Sequence, residues 1–194
     1  GTLVSRRVYC ALVHYPVKDR EGASVSTSVT NLDVHDIARS SRTYQLSGYF
    51  LVTPITAQHA IIERILGHWE PGAAGAGRIP QRAEALRLIT IARSIEEAIE
   101  DIQQREGRAP RVWATGARAP EGKPVLSFAE GSRLLREEPE VPTLILYGTG
   151  HGLVNDTVLG ADAVLAPIRA GSDYNHLSVR AAAAIIFDRL FGES

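Results

Sequence analysis

The sequence predicts an α/β domain with a mostly parallel sheet and helices on both faces. Short runs such as Val8–Val13, Tyr49–Val52 and Thr143–Tyr147 are apolar at nearly every position, as strands buried on both faces must be. Amphipathic stretches separate these runs, and three begin with a hydroxyl residue followed three positions later by an acid: Thr30/Asp33, Ser94/Glu97 and Ser127/Glu130. Alternation of this kind is the signature of parallel α/β architecture. At 194 residues the chain fits one domain over 1–194 and can bury a core without staples.

The elements follow in order. Val8–Val13 is a strand that Pro16 ends, and Arg20-Glu21-Gly22 is a turn. Residues 25–29 alternate apolar with small polar residues, as in a short strand or part of a long loop. A helix opens after Thr30, with Gly48 expected to close it before the Tyr49–Val52 strand. A second helix runs from Thr56 to about His68, with Ile61, Ile62, Ile65 and Leu66 on one side. Residues 70–80, with Gly72, Gly75 and Gly77 between two prolines, form the most loop-like stretch: a flexible lid or a solvated connection.

Beyond that stretch, Gln81–Arg87 is predicted helical and Leu88–Ala92 a strand. A helix follows from Ser94 to Gly107, and Arg111–Thr115 is a strand. Gly122 marks a turn, and a short helix runs from Ser127 to about Glu137. Thr143–Tyr147 is a strand, Ala163–Ile168 another, and Asn175 is expected to cap a final helix over His176–Phe191.

Composition excludes several function classes. One cysteine, Cys10, cannot build a disulfide framework or a multi-cysteine metal cage. The six histidines show no H-x-x-x-H spacing, so no metal site is expected. No apolar run approaches a membrane span, and no long apolar core follows Arg6 and Arg7, so neither membrane anchoring nor a signal peptide is expected. A net charge of −1 excludes nucleic-acid binding by bulk charge but leaves room for a local basic patch. No G-x-S-x-G elbow supports a hydrolase.

Three segments carry candidate chemistry. In Leu144–Leu153 a buried strand ends in Gly148, Gly150 and Gly152, where glycine permits positive φ and close approach of a ligand to the backbone. A dinucleotide site would instead need G-x-G-x-x-G early in the chain, and only Asp173 stands near the place of its acidic partner. In Ala166–Ile185 a strand end feeds a polar loop and then a helix rich in alanine. In Thr30–Val52, Asp36, Arg39 and Arg42 share one side of a helix, which also fits a surface salt-bridge ladder.

Taken in order, the three segments resemble the motifs of SPOUT-class RNA methyltransferases, closest to a small bacterial branch. The first carries Arg42, Thr43, Gly48 and the Tyr49–Val52 strand. The second carries Gly148, Gly152 and Leu153. The third carries Pro167, Ile168, Ser172, Asn175, Leu177, Ser178, Val179 and Ala181. The match spans residues 31–186 with gaps. Two departures stand out: Asp36 occupies the place of the usual first-motif asparagine, and His151 lies near the place of the usual second-motif glutamate.

The resemblance implies a C-terminal trefoil knot, S-adenosylmethionine as cofactor, tRNA or rRNA as partner, a homodimer and a cytoplasmic location. It places Tyr147, Gly148, Gly150 and Gly152 on one wall of the cofactor site. Ile168, Ser172, Asn175, His176 and Leu177 form the second wall, and Thr115, Gly116 and Ala117 the third. Arg42 would orient a phosphate or activate the acceptor, and Asp173 or Asp36 would accept a proton. Arg39, Arg42 and Arg169, with Arg78 in the 70–80 loop, would contact RNA. A protein that binds S-adenosylmethionine or RNA without catalysis is the non-enzymatic alternative, and a nicotinamide-dependent oxidoreductase the enzymatic one.

Overall fold

The computed structural model describes residues 6–68 and 80–193. The elements are β1 (Arg6–Val13), β2 (Val17–Lys18), β3 (Ser24–Val25), α1 (Asn31–Thr43), β4 (Leu46–Val52), α2 (Thr56–His68), α3 (Pro80–Leu86) and β5 (Ile89–Ala92). They continue with α4 (Ile95–Glu106), β6 (Arg111–Ala114), β7 (Val125–Leu126), α5 (Phe128–Glu137), β8 (Thr143–Gly148), α6 (Asn155–Gly160), β9 (Ala163–Leu165) and α7 (Val179–Phe191). The 70–80 stretch, expected as a flexible lid or a solvated connection and including Arg78, lies outside the described residues except for Pro80, which opens α3.

Seven strands form one sheet in the order β5-β4-β1-β8-β6-β9-β7, and every pairing is parallel. β8 therefore inserts between β1 and β6, although β6 precedes it in the chain. Leu12 faces Leu51 on one side and Tyr147 on the other. Alternate residues of β1 feed two cores. Val8, Cys10 and Leu12 pack with Ile37 of α1 and with Ala183 and Phe187 of α7, while Tyr9, Ala11 and Val13 pack with Ala98 and Ile102 of α4 and Val158 of α6. This two-sided burial is why β1 is apolar at consecutive positions.

All three hydroxyl residues cap their helices. The hydroxyls of Thr30, Ser94 and Ser127 accept the amides of Asp33, Glu97 and Glu130. Gly107 ends α4 in the left-handed conformation, as its position predicts.

Three boundaries differ from the sequence reading. Gly48 does not close α1; Tyr44 caps the helix and Gln45 turns the chain at φ 64°. Gly48 lies inside β4, where a Cβ would sit 2.8 Å from the Tyr9 ring. β9 stops at Leu165 rather than Ile168: the Ala166 amide donates to Leu126 O at 2.7 Å, and Pro167 has no amide to continue the ladder. α7 begins at Val179, capped by Ser178, whose hydroxyl accepts the Ala181 amide at 3.2 Å. Asn175 is therefore not the cap, and His176 and Leu177 belong to the preceding loop. β2, β3, β7 and α6 are too short for periodicity to reveal them. Of the four apolar residues expected on one side of α2, Ile62 is buried whereas Ile61 is exposed.

Leu12 is fully buried in β1, an interior strand of the sheet. Leu12→Ala should lower the unfolding free energy by about 2–5 kcal/mol, measured by urea denaturation.

Candidate active site

Because β8 lies between β1 and β6, the loops leaving β8, β6 and β9 open at the same carboxyl edge of the sheet. They enclose a cleft of about 990 Å³, closed on its helical side by the start of α7. Ligands of parallel α/β sheets bind at such an edge.

The β8 wall is a tight turn. The Thr149 amide donates to Val13 O at 3.2 Å, and the Gly152 amide donates back to Thr149 O at 3.1 Å. A Cβ on Gly148 would meet Leu153 N at 2.7 Å and the Gly152 carbonyl carbon at 2.9 Å, so backbone fills the space a side chain would need. Gly150 and Gly152 have φ of 62° and 101°. On the β6 wall, the buried Thr115 hydroxyl donates to Leu146 O at 2.7 Å, tying the two strand ends together.

The cleft brings together most of the residues expected to hold a cofactor. Tyr147, Gly148, Gly150 and Gly152 line it from β8, and Thr115, Gly116 and Ala117 from β6. Ile168, Asn175 and Leu177 line it from the loop after β9, together with Arg169. Ser172 and His176 belong to that same loop but do not line the cleft, and neither does Asp173. Tyr147 is buried, with its ring edge-on to Phe187 at 5.9 Å. Burial pushes its phenol well above 10, so it stays protonated at neutral pH.

The helix α1 contributes differently from expectation. Asp33, rather than Asp36, lines the cleft, beside Arg180 of α7, whose Nη1 lies 3.4 Å from the Asp33 carboxylate. Arg180 Nε lies 3.4 Å from Asp36, so one guanidinium serves two carboxylates one helical turn apart. Asp36, Arg39, Ser178 and Arg180 line a second cavity of about 510 Å³ between α1 and α7. Arg42 is outside both cavities and pairs with Glu84 of α3 at 2.9 Å. The ion pairs made by Asp36 and Arg42 thus lead to α7 and α3, not along α1.

Asp33 and Arg180 escape the sequence reading. Asp33 already had a role there as a capping-box acid, and Arg180 lies inside the third motif, between Val179 and Ala181, without being one of its matching residues. His14 is a further omission. It is buried where β1 ends, and burial lowers its imidazole to about 4, against the opposing attraction of Asp33. Among the described residues no group of three or more His, Cys, Asp or Glu is placed to hold a metal ion.

A parallel sheet with glycine turns around a cleft at its carboxyl edge defines a cofactor-binding α/β domain. More narrowly, the chain belongs to the SAM-dependent RNA methyltransferase family whose model matches residues 7–192. It is 49% identical over 189 residues to a tRNA (guanine-N(1)-)-methyltransferase of Oleidesulfovibrio alaskensis, covering 97% of this chain and 43% of that protein. The chain thus spans less than half the length of that curated relative. It is 38% identical over 192 residues to an uncharacterized protein of Aquifex aeolicus, covering 99% of this chain and 92% of that one. Its fold matches the SpoU methyltransferase AviRb of Streptomyces viridochromogenes with a TM-score of 0.54 at 18% identity, over 96% of this chain and 60% of that one. The resemblance drawn from the three motifs is shown at the level of family and fold. That membership sets aside the nicotinamide reading of the glycine cluster.

His14 yields a prediction with a definite sign. Its folded-state value lies below the ordinary 6.5, so between pH 6.5 and 4 the unfolded chain binds a proton that the folded chain refuses. Its contribution to stability is complete above pH 6.5 and falls by about 1.4 kcal/mol per unit as the pH drops through that window. The Hε1 NMR resonance of His14 should stay unshifted from pH 8 to 5.

Proposed function

We propose that this domain transfers a methyl group from S-adenosylmethionine to a nucleotide of tRNA or rRNA. The convergence of three strand-end loops on one glycine-walled cleft carries this reading. When bound, S-adenosylmethionine supplies a methyl group on a positively charged sulfur, open to in-line attack. The cleft fits such a molecule in size, and the Gly148–Gly152 turn, folded too tightly for a Cβ at Gly148, presents its main-chain groups at the cleft wall.

In this reading Thr115, Gly116 and Ala117 form one wall. Tyr147 and the three glycines form the second, and Ile168, Asn175 and Leu177 the third, with Ser172 and His176 on its outer side. These residues orient the cofactor and exclude water, so much of the acceleration comes from positioning. The acceptor approaches from the side of Asp33 and Arg180. Asp36 acts on it through Arg180, and Asp173 and Arg42 reach it from outside the cleft as the RNA docks. A proton leaving a ring nitrogen or ribose hydroxyl passes to one of these carboxylates.

RNA phosphates meet Arg39, Arg42 and Arg169, a local patch on a near-neutral chain. Two copies build the RNA site together as a homodimer in the cytoplasm, and the chain after β8 threads as a trefoil knot. The strand order β1-β8-β6-β9 supports that threading, because later strands sit between earlier ones. Guanine N1, the acceptor named for the curated relative, is one candidate. Because this chain matches 43% of that protein, the acceptor has to be identified from the RNA itself.

Calorimetry should show saturable binding of S-adenosylmethionine and S-adenosylhomocysteine and none of NADH. Gly148→Ala should weaken both by about tenfold or more, a loss of roughly 1.4 kcal/mol. Radiolabelled methyl should enter total tRNA or rRNA; cofactor binding without any incorporation would leave a binding protein in place of an enzyme.

A further inference from the structure

Between β1 and α1 the chain leaves the sheet, forms the β2–β3 hairpin and crosses the turn that follows β8. The Lys18 amide donates to Gly152 O at 2.8 Å, and the His151 amide donates to Lys18 O at 3.0 Å. Val17 bridges Leu153 in antiparallel fashion, both side chains being buried. A Cβ on Gly150 would sit 3.1 Å from Lys18 O and 3.3 Å from Thr27 Cγ2. The segment thus touches the glycine turn at Val17, Lys18 and Thr27. Gln58 of α2 holds its far end, accepting the Val29 amide at 2.9 Å.

The polar link between segment and turn runs through three side chains. The Thr149 hydroxyl donates to Val13 O at 3.1 Å, so its oxygen must accept in its contact with the Thr27 hydroxyl. Thr27 then donates to Thr149. Its own oxygen accepts from His14 Nδ1 at 3.2 Å, which assigns the proton of the neutral imidazole to Nδ1. The 3.5 Å separation of Thr27 Oγ1 from His14 O is too long to compete. His14 is anchored in turn: its amide donates to Val52 O, and its carbonyl accepts the Thr27 amide, both at 2.9 Å.

From this arrangement we infer that residues 14–29 form a strap holding the Gly148–Gly152 turn in its cofactor-binding shape, with Thr27 as a positioning residue for methyl transfer. Thr27 acts through Thr149, and His14 fixes the direction of the hydroxyl chain. The inference rests on the proposal that the cleft takes S-adenosylmethionine. Without the Thr27 hydroxyl, Thr149 loses its only side-chain hydrogen-bond partner among the described residues and keeps the bond of its hydroxyl to Val13 O, which does not reach the 14–29 segment.

The test compares Thr27→Val, which keeps shape but removes the hydroxyl, with Thr27→Ser, which keeps the hydroxyl. Thr27→Val should raise the Kd and the KM for S-adenosylmethionine about tenfold with little change in kcat. It should also speed amide hydrogen exchange at Gly150–Gly152 in the cofactor-free protein. Thr27→Ser should restore both readouts to within about twofold of the parent. Equal exchange at Gly150–Gly152 in Thr27→Val and the parent would overturn the strap, as would an equal Kd where the parent binds. A parent protein that fails to bind S-adenosylmethionine would defeat the cofactor reading instead, and exchange at the turn would then decide the strap alone. If both variants lose binding together, the hydroxyl is not what positions the turn, and the assignment of Thr27 fails.

Discussion

The insertion of β8 between β1 and β6 is the constraint on which the rest of the structure depends. Parallel ladders on both flanks fix the register of β8 at Cys10–Ile145–Trp113, leaving no freedom in where the strand ends. Its last residue, Gly148, therefore emerges opposite Val13 and lines the cleft with Thr115. A shift of one residue would exchange the two faces of the strand, moving Tyr147 away from Phe187 and into the opposite core. Core packing and site geometry are thus specified by the same hydrogen bonds.

That coupling explains why the site is built mainly from backbone. Side chains at the carboxyl edge are occupied in holding strand ends together, as Thr115 holds Leu146 and Thr149 holds Val13. What remains at the cleft wall is largely main chain, folded so tightly that a Cβ on Gly148 would collide with neighbouring backbone. A cleft of this kind recognises a ligand by shape and hydrogen bonding, and it spends little on charge. Charge collects instead at the junction of α1 and α7. There Arg180 binds Asp33 on the cleft side and Asp36 on the side of the second cavity. The half-exposed pair with Asp36 contributes little to stability by itself, whereas Asp33 is largely buried beside the cleft. Their placement makes the two cavities share a wall, so a change in either carboxylate is felt in both.

Much of this was legible in the chain before any coordinates. The uniform apolarity of Val8–Val13 and Thr143–Tyr147 announced strands buried on both faces, and the hydroxyl–acid pairs at Thr30, Ser94 and Ser127 located three helix starts. These signals are local: hydrophobic period and capping are properties of neighbours in sequence. The glycines at 148, 150 and 152 likewise marked the turn, because their use is a backbone requirement visible in residue type alone. Gly48 shows where the same reasoning fails. Glycine after a helix suggests a stop, but this one exists to admit the Tyr9 ring from a neighbouring strand, a contact no local pattern encodes.

By itself, then, the sequence determined the order of the longer elements, the burial of the strands and the family to which the three motifs belong. Tertiary structure alone decided which acid of α1 faces the cleft, that Arg180 joins two cavities, and that Arg42 turns to Glu84. It alone placed His14 and Thr27 beneath a turn more than a hundred residues later in the chain. The physical reason is range. Capping, period and turn preference act over three or four residues, whereas which side chain faces which cavity depends on strand order and on how helices seat across the sheet. Those are set by the burial of the whole core at once, and a reading that moves along the chain meets them only where the fold brings distant segments together.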